Sequence, residues 1–137
     1  MKFLLDTNIL SEPLKATPNS KALRKLRIHQ AEIATATPVW HELLFGCRRL
    51  PPSATKRRII EEYLSNVIWP AVPILSYDRT AAEWHASERA RLASIGKIPR
   101  FVDGQIAAIA KTNDLILVTG NVKDFTLFEE LHVENWL

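Results

Sequence analysis

Short unbroken apolar runs punctuate the chain, separated by longer stretches in which apolar residues return every three or four positions. Phe3-Leu4-Leu5 is consecutive and unalternated, as in a strand covered on both faces of a parallel sheet. Ala31–Thr37 (AEIATAT), Val72–Ser76, Leu115–Thr119 and His132–Trp136 read as four further strands. Between them the spacing predicts helices. A short one runs from Asn8 to Lys15, limited by Pro13. A second, capped by Asn19 or Ser20, runs to about Gln30 with Leu23 and Leu26 on its inner face. Thr37-Pro38 pairs an N-cap residue with a proline suited to the first helical position, and opens a helix to about Leu50. Pro51-Pro52-Ser53 breaks it. Ala54–Ile68 then returns as the second arm of a helical hairpin, its apolar face Ile59, Ile60, Tyr63, Leu64 and Val67. Asp78 caps a long helix that Gly96 ends near Ile95, and Asp103–Lys111 forms the last helix after a loop. Strands alternating with helices predict an α/β protein with a parallel sheet and right-handed crossovers.

Acidic and amide residues recur where these strands end. Asp6 closes the first strand, Glu42 lies on the helix after the second, and Asp103 opens the helix before the fourth. Asn121 and Asp124 follow the fourth strand at Val118-Thr119-Gly120-Asn121. The carboxyl rim of an open α/β sheet is where sites are built. Each residue also has a plainer reading: Asp6 and Asp103 as helix caps, Glu42 as a solvated helix residue, Asn121 and Asp124 as turn residues. Their coincidence at one rim favours a site. Two unit charges about 4 Å apart repel by roughly 4 kcal/mol at an effective dielectric of about 20, so such a cluster calls for protons or a cation. Oxygen donors without cysteine or histidine suit magnesium or manganese, and such an ion activates water for attack on a phosphodiester.

Composition narrows the class. A chain of 137 residues, 47% apolar and 24% charged, predicts one soluble domain with one core. No apolar run approaches the roughly 20 residues of a membrane span, and Lys2 precedes only three apolar residues before Asp6, which predicts no signal peptide. Cys47 is alone, so no internal disulfide forms and a reducing cytoplasm fits. The net charge of +3 leans mildly toward polyanionic partners. Other chemistries drop out. His41-Glu42 is followed by Phe45 where a zinc protease needs its second histidine, and four glycines form no phosphate loop. His29, His85 and His132 stand on separate elements, Cys47 and the tryptophans read as packing residues, and Lys56-Arg57-Arg58, Arg89 and Arg91 as solvated faces.

Together, LLDTNILSEPLK (4–15), WHELLFG (40–46), FVDGQIAAIA (101–110) and LVTGNVKDF (117–125) resemble PIN-domain proteins, and more closely the VapC toxins of bacterial and archaeal toxin–antitoxin pairs. The resemblance spans residues 1–137 in order, as a single PIN domain. It implies a three-layer α/β/α fold with a parallel sheet of order 3-2-1-4-5 and the inserted helical hairpin. It implies a magnesium- or manganese-dependent endoribonuclease acting on transfer or ribosomal RNA, a homodimer, a VapB-type antitoxin as inhibitor, and no membrane partner. Asp6, Glu42 and Asp103 match the family's three acidic positions; Asp6 and Asp103 would ligate metal directly, with Glu42 completing the shell or orienting water. Thr7 would support Asp6 by a hydrogen bond. The family's fourth polar position falls on Asn121, a neutral ligand. Position 120 is glycine where many members carry arginine, which removes a phosphate contact. The competing reading is a PIN-like module that binds RNA or a partner without cutting. Aspartyl-phosphate chemistry fits poorly, because Asn8 stands where such phosphatases place their second carboxylate.

Overall fold

The computed structural model describes residues 1–137. Its centre is β1 (Phe3–Leu5), three residues with almost no exposed surface. Both faces of this strand are covered, and burying each such side chain contributes about 1.5–3 kcal/mol, which explains why it carries no alternation. Around it lie β2 (Ile33–Ala36), β3 (Ile74–Leu75), β4 (Ile116–Val118) and β5 (Val133–Glu134). All pairings are parallel and the order is 3-2-1-4-5, as the resemblance implies. Helices cover both faces.

The helices are α1 (Thr7–Leu10), α2 (Ser20–Ile28), α3 (Thr37–Arg48), α4 (Thr55–Tyr63), α5 (Trp69–Ala71), α6 (Arg79–Ser94) and α7 (Phe101–Thr112). Asp6 caps α1 by accepting the Thr7 N–H at 2.8 Å. The stretch predicted as one helix from Asn8 to Lys15 divides instead. After α1, Ser11 turns the chain into a 3-10 turn, Glu12–Leu14, with Pro13 near its start. Buried Glu12 fixes that turn by accepting the Asn19 N–H and pairing with Lys15 at 2.9 Å. Asn19 and Asp78 cap α2 and α6 as predicted, each accepting an N–H three residues on.

The α3–α4 hairpin is inserted between β2 and β3 as expected, with three local differences. Thr37 is the first helical residue rather than the cap, because Ala36 still has extended backbone and Thr37 makes no capping bond. The second arm passes through a π turn, Leu64–Ile68, and continues into α5. Pro70 is tolerated there because its missing N–H falls in the first turn. Leu64 and Ile68 enter the core, whereas Ile59 and Val67, expected on the inner face, are about half exposed. Leu23 of α2 is likewise turned outward, its place inside taken by Ala22.

Two of the arginines read as solvated are clamps. Arg57 donates to the carbonyls of Leu50 and Arg48 at the end of α3 and pairs with Glu61. Arg91 grips buried Glu88 through two nitrogens and donates to the Leu127 carbonyl. Cys47 is buried in the core. Gly104 lets α7 cross α6: a Cβ there would come within 2.1 Å of His85 Nε2. That ring is held by the Tyr77 hydroxyl at 2.8 Å and by Phe101, so it has nowhere to go. No helix is long and apolar enough to cross a membrane.

Candidate active site

The parallel register decides where the acidic residues meet. Leu5 pairs with Val118, so the next residues on the two strands, Asp6 and Thr119, lie side by side at the carboxyl rim. Thr119 is fully buried and donates its hydroxyl to Asp6 Oδ2 at 2.8 Å. The Thr7 N–H takes Oδ1, so both oxygens are fixed in direction. The capping role of Asp6 and its place in the site are therefore one arrangement rather than alternatives. Thr35, also buried, donates to the Leu5 carbonyl at 2.8 Å and ties β2 to β1 just before Asp6.

A cavity of about 300 Å³ opens at this rim. Asp6, Glu42, Asp103, Asp124 and Asn121 all line it, with Thr7, Asn8 and Arg100. All four residues assigned to the site from the sequence are thus brought together. Asp124, read chiefly as a turn residue, joins them from a 3-10 turn, Val122–Asp124. Asp103 does not cap α7. The helix starts two residues earlier, at Phe101, and carries Asp103 in its first turn, where its charge suits the helix dipole. Thr7 supports Asp6 by a hydrogen bond as expected, through its backbone N–H, and its hydroxyl also donates to Glu42 Oε2 at 2.9 Å.

Electrostatics mark the cavity as short of positive charge. Burial pushes the Asp6 carboxyl above its ordinary range; the Thr119 and Thr7 hydrogen bonds oppose this, and Glu42 and Asp124 push it further up. Burial also raises Asp103, with Arg100 opposing and Asp124, Asp6 and Glu42 adding. The Arg100 guanidinium lies 3.6 Å from Asp103 but is mostly exposed, so its pairing is screened. No three acidic, histidine or cysteine side chains converge closely enough to enclose an ion as they stand. The donor set itself fits a hard divalent cation: four carboxylates and an amide, all oxygen-bearing, two of the carboxylates desolvated and repelling.

Residues 3–129 match the family model described as PIN domain. The chain belongs to the PIN-domain family. The toxin FitB of Neisseria gonorrhoeae is 33% identical over 127 residues, 89% of each chain. A tRNA(fMet)-specific endonuclease VapC of Shigella flexneri is 29% identical over 136 residues, covering 99% of this chain and 98% of that one. Among solved PIN-domain structures, FitAcB from Neisseria gonorrhoeae superposes with a TM-score of 0.88 at 31% identity, covering 98% of this chain and 97% of that one. DNA-bound VapBC from Salmonella typhimurium gives 0.84 at 25% identity, covering 100% and 99%.

Sequence reasoning passed over three residues of this PIN-domain site. Thr119 was readable from register, since a hydroxyl one residue past a strand end meets the residue one past its neighbour's. Asn8 accepts the Gly120 N–H at 2.8 Å and holds the Asn121 loop against α1, a link between residues 112 positions apart with no local signal. Arg100 enters the cavity from the turn before α7, the one cationic side chain in its lining. At Gly120 a Cβ would come within 2.7 Å of the Leu137 side chain, which flanks the loop there.

Thr119 also accepts the Asn121 N–H at 3.0 Å, so one hydroxyl orients both Asp6 and Asn121. Thr119→Val should lower RNA cleavage about 10- to 100-fold, the usual range for a side chain that holds a ligand in place. Thr119→Ser should keep most of it. Single-turnover rates of the two variants, with melting curves to confirm folding, check this; a Val variant as fast as wild type contradicts the role.

Proposed function

We propose that this PIN-domain chain is a magnesium- or manganese-dependent endoribonuclease, the toxin half of a VapBC-type toxin–antitoxin pair. The observation that carries this reading is the convergence of Asp6, Glu42, Asp103, Asp124 and Asn121 on one cavity at the carboxyl rim of the sheet. Relatives named as ribonucleases and as toxins, and neighbours solved as toxin–antitoxin complexes, support it.

Asp6, Glu42 and Asp103 would hold the ion, with Asn121 as a neutral companion. Bound there, it would polarise a phosphodiester and lower the pKa of attacking water. The chain's own residues do the rest. Thr119 and Thr7 fix the Asp6 carboxylate, and Thr7 restrains Glu42 at the mouth, where it can orient water. Arg100, exposed beside Asp103, offers a contact for a phosphate.

The partner is a VapB-type antitoxin, and the protein acts as a homodimer in the cytoplasm. The groove between the hairpin arms, about 560 Å³ and lined by Trp40, Leu44, Leu64 and Trp69, offers an apolar surface for it. End-labelled total transfer RNA, initiator species included, should give discrete fragments in magnesium or manganese and none in chelator. RNA retained equally with and without metal, and never cut, would instead establish the binding module.

A further inference from the structure

Beside the acidic cavity lies a second hollow of about 410 Å³ that the mechanism above does not use. The two share Glu42, Arg100 and Val102 as a common wall. Thr37, Pro38, His41, Phe45 and Gln105 complete it. His41 and Phe45 on α3 and Arg49, its C-cap, stand four residues apart and form one exposed stripe. The His41 ring lies nearly parallel to that of Phe45, at 20° and 6.3 Å between centroids, and the Arg49 guanidinium sits over Phe45 at 5.9 Å. Phe45 is 59% exposed, so most of its ring surface stays in water beside His41 and Arg49.

We propose that this stripe is a subsite for an unpaired nucleotide flanking the cut phosphate, its base stacked on Phe45 and its phosphates held by Arg49 and Arg100. The inference deepens the nuclease reading and rests on it. Single-stranded nucleic acid is held by aromatic faces interleaved with cations, because every base has a π-face and every link a charge. The hollow supplies both, continuous with the cavity where cutting is assigned. Its polar side chains, Thr37, His41 and Gln105, can meet the edge of a base. The hairpin groove is lined by Trp40, Leu44, Leu64 and Trp69 with Arg48, Glu61 and Ser65 among them, and does not adjoin the acidic cavity.

The test uses Asp6→Asn protein, so that RNA survives, and follows anisotropy of a labelled mixed-sequence RNA decamer beside an abasic ribose-phosphate decamer. Adding Phe45→Ala should weaken the RNA decamer about 5- to 150-fold, the range for losing one base–aromatic stack. It should leave the abasic decamer unchanged, and Phe45→Trp should restore binding. Equal RNA affinities with and without Phe45 overturn the subsite, as does equal loss for both decamers. A changed mass in solution with RNA affinity intact overturns it too, and assigns the stripe to contact between copies. Wild-type cleavage of transfer RNA is run in parallel. If it occurs while the decamer affinities are equal, the subsite alone fails; if metal-dependent cleavage is absent, the nuclease reading fails and the subsite with it.

Discussion

Asp6→Asn is expected to lower RNA cleavage by about 10²- to 10³-fold or more, the range for removing one preorganised charge from a catalytic site, while the protein remains folded. Asparagine is as good a cap as aspartate, so the Thr7 N–H keeps its acceptor and α1 its start. On the other side the Thr119 hydroxyl can rotate to accept an amide N–H. What is lost is the negative charge at the one carboxylate that is buried, doubly held and seated on the central strand. The comparison is a single-turnover rate against wild type, with melting in chelator as the control for folding. A variant that is folded and cuts at the wild-type rate removes Asp6 from the chemistry.

Metal should stabilise the protein strongly, and Asp103→Asn should abolish that gain. Magnesium or manganese at about 100 times its Kd adds about 2.7 kcal/mol, or roughly 8–12 °C in Tm for a chain of this length. The ion would offset the burial and, after it, the mutual repulsion that now raise the Asp6 and Asp103 carboxyls. In chelator, Asp103→Asn should melt no lower than wild type, because it removes one repelling charge. A sign follows for pH. The folded protein holds the Asp103 proton more tightly than the unfolded chain, so this residue's contribution is most favourable at acid pH and is lost as pH rises through its raised pKa. Wild type in chelator should therefore lose ground against Asp103→Asn as pH rises from about 4, the ordinary carboxylate value, through the raised pKa. A variant several degrees less stable than wild type in chelator would make Asp103 chiefly a stabiliser of the first turn of α7.

Much of this was legible in residues whose role is set locally. Phe3-Leu4-Leu5 followed by Asp6 reads as a doubly buried strand ending at a rim, because both inferences need only neighbours in the chain. Asp78 and Asn19 announced their helices for the same reason. Misplaced details depend on tertiary packing. Leu23, Ile59 and Val67 have helical spacing suited to burial, yet each lies outside because the faces that pack are set by Ala22, Leu64 and Ile68. The start of α7 was placed at Asp103 from its capping chemistry, whereas the helix begins at Phe101, whose ring packs on His85. At the site, the acidic residues could be read from strand ends, and Thr119 only once the strand register was known; Asn8 could not, since its partner lies 112 positions away, and Arg100 stands in a turn with no capping signal of its own.

The central claim is that the cavity bounded by Asp6, Glu42 and Asp103 is a divalent-metal site that cuts RNA. Manganese titrated into wild type, Asp6→Asn and Asp103→Asn, followed by the paramagnetic resonance of the free ion, tests it most directly. Wild type should remove manganese from solution at the concentrations where transfer RNA fragments appear, and both variants should leave the ion free and the RNA whole. Equal manganese uptake by all three proteins, or fragments formed in chelator, would contradict it.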